Sequence, residues 1–158
     1  IGVINYTYIL NNCFLKFTLN INLKIKIMSE NKFTYHHGVI AMLIEMSASD
    51  GEIDKKEITK LYDIVSEIIT KGDVDATQKI ISETLDAWSG FETVQDRCSW
   101  IVSLALQIGD NLTKPSKAGI GRMLAAIAGA DGNIHENEQG FMLICMGCLD
   151  ITFDDLKG

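Results

Sequence analysis

The sequence predicts an all-α protein, a compact bundle of six to seven helices built from two helix-turn-helix repeats related by a pseudo-twofold axis. Three observations support this prediction. From Phe33 onward, apolar residues recur every three or four positions, which is the period of an amphipathic helix. Pro115 is the only proline of the 158 residues, so little interrupts a helix. An Asp-Gly pair begins at position 50 and again at position 131, in the same apolar context.

Six apolar stripes predict six helices. Each stripe places its apolar side chains on one helix face, at spacings of i, i+3, i+4 and i+7. In chain order the stripes run from Val39 to Met46, Ile58 to Ile69, Ile80 to Trp88, Val94 to Ile108, Ile120 to Ala128 and Phe141 to Leu149. Trp88 and Trp100 extend two of these stripes, so we expect both to anchor the core.

The breaks between the stripes contain residues that end and begin helices. Glycine tolerates the left-handed backbone of a helix C-terminus, and proline suits a first helical turn, where its missing N–H is not needed. We therefore expect Pro115 to begin the fifth helix, and Thr152 with Asp155 to cap a short final turn. The glycines expected in the breaks are Gly51, Gly72, Gly90, Gly109 and Gly132.

An internal repeat relates the two ends of the helical region. Asp50-Gly51-Glu52-Ile53 recurs as Asp131-Gly132-Asn133-Ile134, 81 positions later (131 − 50). At the same offset the matching pairs are Met42 and Met123, Leu43 and Leu124, Glu57 and Glu138, Leu61 and Met142, and Ile68 and Leu149. Two copies are too few for a solenoid, so we expect the two helix pairs to pack against each other in a bundle.

Small residues occupy one face of the fifth predicted helix, namely Gly121, Ala125, Ala128 and Gly129. In a membrane such a face would suggest helix dimerisation, but the apolar span is too short and Arg122 interrupts it. The face therefore predicts close packing in the protein core.

Each turn and the helix after it follow the pattern Asp-Gly-x-Ile-x-x-x-Glu, which is also the second half of an EF-hand calcium loop. That loop takes side-chain ligands at positions 1, 3, 5 and 12. With Asp50 at position 5, positions 1 and 3 hold Met46 and Ala48, and the second copy holds Ile127 and Gly129 there. Neither turn can supply the roughly six to eight oxygens that Ca²⁺ takes, which excludes a working EF-hand.

Two segments resemble the TerB-like family, which is known from bacterial tellurite resistance and from the N-terminus of a DnaJ-type co-chaperone. They are residues 48–57, Ala-Ser-Asp-Gly-Glu-Ile-Asp-Lys-Lys-Glu, and residues 127–138, Ile-Ala-Gly-Ala-Asp-Gly-Asn-Ile-His-Glu-Asn-Glu. The closing Leu-Asp-Ile-Thr-Phe of residues 149–153 is also similar, and the resemblance covers residues 35 to 156. It implies an all-helical fold, acidic clusters linked to divalent cations, and roles in stress-response or membrane-associated protein assemblies.

The resemblance carries over four candidate metal ligands: Asp50, Glu57, Asp131 and Glu138. The pseudo-twofold packing would gather these acids into one site for Ca²⁺ or another divalent cation. Glu52 is a possible fifth ligand, although the second copy has Asn133 at the matching position.

A local interpretation of the same acids competes with the metal site. Asp54 followed by Glu57 fits a variant of the helix capping box, in which each side chain bonds to a backbone N–H of the first turn. Asp50 and Asp131 would then brace their turns through their own side chains. Caps of this kind are common, and each stabilises a helix by about 1 kcal/mol.

Cysteine and histidine residues offer a weaker functional signal. Cys145 and Cys148 have C-x-x-C spacing, but no βαβ pattern accompanies it and a zinc site would need two more ligands, so we expect buried thiols. Adjacent histidines on a helix point in different directions. We therefore expect His36, His37 and His135 at surface or boundary positions.

Charge and composition limit the partners. A formal net charge of −7 and an isoelectric point of about 4.9 give no electrostatic basis for binding nucleic acid. Four cysteines without a regular framework predict a reducing compartment, hence the cytoplasm. The resemblance adds a peripheral position at the inner face of the membrane, and no segment predicts a transmembrane span.

Residues 1–27 form a leader that differs from the helical domain predicted for residues 28–158. The leader contains no Asp, Glu, Arg, Ala or Pro, and Ile, Asn, Lys, Phe and Tyr fill 18 of its positions. These residue types share A/T-rich codons, so one interpretation is translated upstream sequence, with the native start at Met28. Alternation of Leu19, Ile21 and Leu23 with polar neighbours fits a strand instead, and a disordered leader is the third interpretation.

The sequence favours a non-enzymatic protein-interaction domain with a divalent cation at its acidic turns. No nucleophile motif, phosphate-binding glycine loop or acid-base pair is identifiable by spacing. The alternative from another class is a small metal-dependent or thiol redox enzyme that uses the acidic turns or Cys145 and Cys148. A third interpretation is a structural helical module without a ligand.

Overall fold

The structure, a computed structural model, describes residues 33–49 and 55–157. This part of the chain contains six α-helices and no strand, which confirms the predicted all-α class. In chain order the helices are α1 (Tyr35–Ser47), α2 (Lys55–Ile64), α3 (Val74–Ser89), α4 (Val94–Asn111), α5 (Lys114–Ala128) and α6 (Glu136–Leu149). A π-helix (Val65–Ile69) continues α2, and a 3₁₀ helix (Phe153–Lys157) follows α6. The leader of residues 1–27 lies outside the described residues.

The centre of the fold is α1. Eleven of its 13 residues are buried, because apolar side chains cover the helix on nearly every side. All five other α-helices pack against it. Trp100 of α4 is buried in the same core, as predicted, whereas Trp88 of α3 is half-buried at its margin.

The two repeats, α1 with α2 and α5 with α6, pack against each other. Their first helices, α1 and α5, are in direct contact. The cross contacts are reciprocal, since α1 touches α6 and α2 touches α5, and a twofold relation requires such reciprocity. Leu43 and Leu124, which match in sequence, are both fully buried. This arrangement agrees with the predicted bundle of two related hairpins.

The match between the repeats ends where α2 widens into the π-helix. The Thr70 N–H donates to the Val65 carbonyl at 3.0 Å, five residues back, so later side chains rotate away from their α-helical positions. Ile68 is consequently 55% exposed, whereas its sequence equivalent Leu149 is fully buried. Ile58, which lies in α2 before the π-helix, is also exposed. The prediction that Ile58 and Ile68 lie on the buried face of their helix is therefore wrong.

Polar side chains set several helix ends. Asp73 accepts a hydrogen bond from the Ala76 N–H at 2.9 Å and begins α3. Thr93 accepts one from the Asp96 N–H at 3.1 Å and begins α4. Pro115 lies in the first turn of α5, and the Thr152 N–H donates to Asp155 at 2.8 Å ahead of the 3₁₀ helix. The helix starts predicted from Pro115 and from Thr152 with Asp155 are thus confirmed.

Glycines follow the prediction in part. Gly72 and Gly132 have positive φ of 85° and 94° and lie in breaks, as expected. Gly90 caps α3 with right-handed backbone, and Gly109 lies inside α4 instead of between helices. A Cβ at Gly109 would come within 2.5 Å of the Cys148 carbonyl oxygen, so this glycine permits close packing of α4 on α6. Gly51 lies outside the described residues.

The small residues of α5 divide between two environments. A Cβ at Gly121 would lie 2.6 Å from Leu156 and 2.9 Å from Ile151, so close core packing is confirmed there. Ala125 and Gly129 are exposed, however, and the core position predicted for them is wrong. They lie on the side of α5 that faces α2 across an open groove.

None of the helices in the described ranges has the length and apolar character that crossing a bilayer requires.

Candidate functional site

The second Asp-Gly turn joins α5 to α6 and is held by its own aspartate. Asp131 Oδ1 accepts a hydrogen bond from the Asn133 N–H at 2.8 Å, and Gly132 between them supplies the positive φ. Asp131 Oδ2 lies 3.9 Å from His135 Nε2. Asp131 therefore braces the turn, as the local interpretation predicts.

Glu138 closes the same segment from the first turn of α6. Its side chain is only 2% exposed, and Oε2 accepts a hydrogen bond from the His135 N–H at 2.6 Å. The backbone N–H groups that precede a helix lack partners within it, so a carboxylate here stabilises the helix start. Asp131 and Glu138 thus bind backbone groups at opposite ends of one turn.

Glu57 occupies the equivalent position in the first repeat. It lies in the first turn of α2 and is 6% exposed, so both repeats bury a glutamate at the third helical position. Asp50 and Asp54 lie outside the described residues. The capping pair of Asp54 with Glu57 and the joint site that includes Asp50 stay predictions.

Residues 33–49 and 55–157 contain no group of three or more His, Cys, Asp and Glu side chains placed to bind a metal ion. Glu57, Asp131 and Glu138 are within these ranges, whereas Asp50 is not. Glu57, Asp131 and Glu138 therefore do not by themselves form a metal-binding group.

The cysteines of α6 have unreactive surroundings. Cys145 is buried and Cys148 is half-buried. Burial in apolar surroundings raises the pKa of Cys145 well above its usual value and raises the pKa of Cys148 to about 11. Both thiols are protonated at neutral pH, whereas thiol redox chemistry requires the thiolate. The expectation of buried thiols is confirmed for Cys145 and holds in part for Cys148.

A buried carboxylate in α1, which sequence reasoning missed, links three helices. Glu45 is 2% exposed, and its Oε2 accepts hydrogen bonds from Trp88 Nε1 at 2.8 Å and from Arg97 Nε at 2.7 Å. The Arg97 guanidinium also lies over the Trp88 ring, 4.2 Å from its centroid. Cys98 Sγ approaches Glu45 Oε1 at 3.6 Å. The available signal was that Glu45 is the single charged residue inside the apolar stripe of α1.

His37 is buried, so the surface or boundary position predicted for it is wrong. Its Nδ1 accepts a hydrogen bond from the Thr34 N–H at 3.0 Å, and its Nε2 lies 3.3 Å from Glu83 Oε2. Phe33 stacks against its ring with centroids 4.5 Å apart. The His37 side chain therefore accepts a hydrogen bond from the backbone at the N-terminus of α1. His36 is half-buried and His135 is exposed, as predicted.

Comparisons with known proteins identify the family. The family model described as "Tellurite resistance protein TerB" matches residues 36–157, which are 122 (157 − 36 + 1) of the 158 residues. Searches of curated proteins and of solved structures returned no match. The matched range begins at the second residue of α1 and ends at the last residue of the 3₁₀ helix, so it includes every described helix. By this match the chain belongs to the TerB family.

Proposed function

We propose that this protein is a non-enzymatic interaction module of the stress-response, tellurite-resistance type, and that a divalent cation organises its two Asp-Gly turns. The observation that carries the proposal is the duplication itself. Each repeat has an Asp-Gly pair in its sequence followed by a buried glutamate, Glu57 in one and Glu138 in the other, at matching helical positions. A capping role alone would not require burial, since exposed side chains cap helices as well.

The donor set suits a hard cation. Ca²⁺ and Mg²⁺ prefer carboxylate, carbonyl and water oxygens. One turn provides two carboxylates, which is too few, but both turns together provide four. The backbone hydrogen bonds of Asp131 and Glu138 do not exclude a cation, because a carboxylate has two oxygens and about four lone-pair sites.

We further propose that the module lies in the cytoplasm, in contact with partner proteins that include assemblies at the inner face of the membrane. Support comes from the family match and from the acidic balance of 21 Asp and Glu against 14 Lys and Arg. An acidic surface favours cations and basic protein patches over nucleic acid.

Calorimetric titration of the metal-free protein with Ca²⁺ and with Mg²⁺ tests the cation. We expect saturable heat, about one ion per chain, and an affinity that falls at least about tenfold in Asp131→Asn and in Asp50→Asn, since each loses a ligand charge. Asp86→Asn is the matched control, because Asp86 is an exposed acid of α3 outside the turns. Its affinity should equal that of the wild type. Absence of both heat and a melting-temperature rise at millimolar ion would sink the cation proposal.

A further inference from the structure

An open groove lies between α2 and α5. Its volume is about 850 Å³. One wall carries lysines of α2, and the opposite side carries small residues of α5: Lys55, Lys56 and Lys60 face Ala125, Ala126 and Gly129. Ala125 and Gly129, for which the sequence had predicted core positions, line this groove.

The charge of the groove is opposite to that of the whole protein. Three lysines fall within six positions of α2, whereas the chain carries a net charge of −7. Asp63 is the one acidic side chain among the described residues that line the groove. At physiological ionic strength, charges more than about 8 Å apart are largely screened, so a bound segment responds mainly to these lysines.

The side of the groove formed by α5 has little side-chain bulk. Ala125 and Gly129 are exposed, and Ala126 and Ala130 are half-buried. No side chain there extends beyond Cβ, so the backbone of a bound segment can approach α5 closely. Methyl groups and glycine offer van der Waals contact, which a solvated ion would not use.

We propose that this groove binds an acidic polypeptide segment of a partner protein, with carboxylates against Lys55 and Lys60 and small or apolar side chains against Ala125 and Ala126. The lysines of α2 favour a partner that carries carboxylates, and the small residues of α5 leave room for a polypeptide backbone. Nucleic acid and anionic membranes are extended polyanions that the acidic remainder of the surface repels, whereas a short segment contacts the groove alone. The inference rests on the proposed interaction role, and it is independent of the cation.

Fluorescence anisotropy with a labelled peptide of alternating glutamate and alanine tests the groove. The buffer contains EDTA, so cation binding does not contribute. We expect Lys55→Gln combined with Lys60→Gln to weaken binding about fivefold, since exposed charge pairs contribute modestly to affinity. The matched control is Lys71→Gln combined with Lys79→Gln, which removes the same charge from exposed positions outside the groove. The control should bind as the wild type does.

A second variant, Ala125→Glu, adds a negative charge and bulk inside the groove at an exposed helical position. It should weaken the acidic peptide at least as much as the lysine pair does, while thermal melts confirm that the variants fold. Equal loss of binding in the groove and control pairs would overturn the inference in favour of non-specific charge attraction. Tighter binding of single-stranded DNA or phosphatidylserine vesicles through Lys55 and Lys60 would overturn it in favour of another anion. If the protein binds calcium but does not bind the acidic peptide, the inference about the groove is rejected and the cation proposal stands.

Discussion

Glu45 places a carboxylate in the interior of the molecule, where an unpaired charge is costly. It is compensated by Arg97 and by the Trp88 N–H, which come from α4 and α3. These contacts hold both linking helices against α1. The arrangement explains why Trp88 is half-buried at the margin of the core, since its ring also packs under Arg97.

Removal of either partner from this pair should be strongly destabilising. We expect Arg97→Ala to lower the free energy of unfolding by about 3 to 5 kcal/mol, because Glu45 would remain buried without its cation. Chemical denaturation measures the loss. The control Arg122→Ala removes an exposed arginine of α5 and should change stability by less than about 0.5 kcal/mol. Equal effects of the two variants would contradict the structural role of Glu45.

Cys148 should react slowly with thiol reagents despite its partial exposure. With a pKa of about 11 instead of the usual 9.0, its thiolate fraction at pH 8 falls about a hundredfold. In a Cys13→Ser background, alkylation of the native protein should therefore be at least about tenfold slower than alkylation in denaturant. Rapid native modification of one thiol would contradict these surroundings and revive the thiol redox alternative.

For single residues, the sequence predicted which side chains are buried better than it predicted which other side chains they contact. Periodicity indicated buried thiols at Cys145 and a core position for Trp100. It could not find Glu45 with Arg97, which are 52 positions apart, or the burial of His37, because both depend on which helices become neighbours. Such long-range polar pairs leave no local pattern.

The packing of the helices predicts opposite effects on stability for alanine substitutions at two helical glycines. Gly109→Ala should destabilise the protein by about 1 to 3 kcal/mol, because the new Cβ would meet the Cys148 carbonyl at 2.5 Å and push α4 from α6. Gly119→Ala in α5 meets nothing within 4 Å, and alanine favours a helix by about 0.5 to 1 kcal/mol over glycine. Thermal melts should therefore move in opposite directions. Stabilisation by Gly109→Ala would contradict the close approach of α4 and α6.

The 3₁₀ helix is fastened to α5 by a pair that should give stability a pH dependence. Lys114 Nζ lies 2.8 Å from Asp155 Oδ1. This bond and those from Thr152 lower the pKa of Asp155 to about 2, and the same pair raises the pKa of Lys114. The contribution of Asp155 is thus present above its unfolded pKa of about 3.8 and is lost as the pH falls through 2. The contribution of Lys114 is lost only as the pH rises through its raised value.

Asp155→Asn should accordingly lower the melting temperature at pH 7, and the difference from wild type should shrink toward pH 2. Asp154→Asn is the matched control, since Asp154 is highly exposed and pairs with Lys157 of the same 3₁₀ helix. Its melting temperature should change less. A difference between Asp155→Asn and wild type that persists unchanged at pH 2 would argue against this fastening.

For the elements, apolar spacing predicted all six helices, and capping chemistry predicted the start of α5 and of the final turn. It failed at Ile68, where the π-helix rotates the stripe outward, and at Gly109, where close packing of two helices requires a glycine inside α4. Neither is visible in one segment alone. The first depends on how the end of α2 meets its neighbours, and the second on the path of α6.

The whole molecule is organised by the duplicated hairpin, whose copies meet through α1 and α5. The repeat was detectable because matching residues retain both apolar character and spacing. The repeat in the sequence does not by itself determine whether the acids of both turns lie close together. Glu57 and Glu138 are equivalently buried, and Asp131 braces its turn, but the joint cation site depends on where Asp50 lies relative to Asp131.

Paramagnetic broadening of backbone NMR signals by substoichiometric Mn²⁺ tests that central claim most directly. Mn²⁺ takes the same hard oxygen ligands as Mg²⁺ and Ca²⁺. If one cation joins the turns, the amide signals of Gly51 and Gly132 should broaden together and first, and Asp131→Asn should reduce the broadening of both. Broadening of one turn without the other, or broadening spread evenly over surface acids such as Asp154, would contradict a shared site.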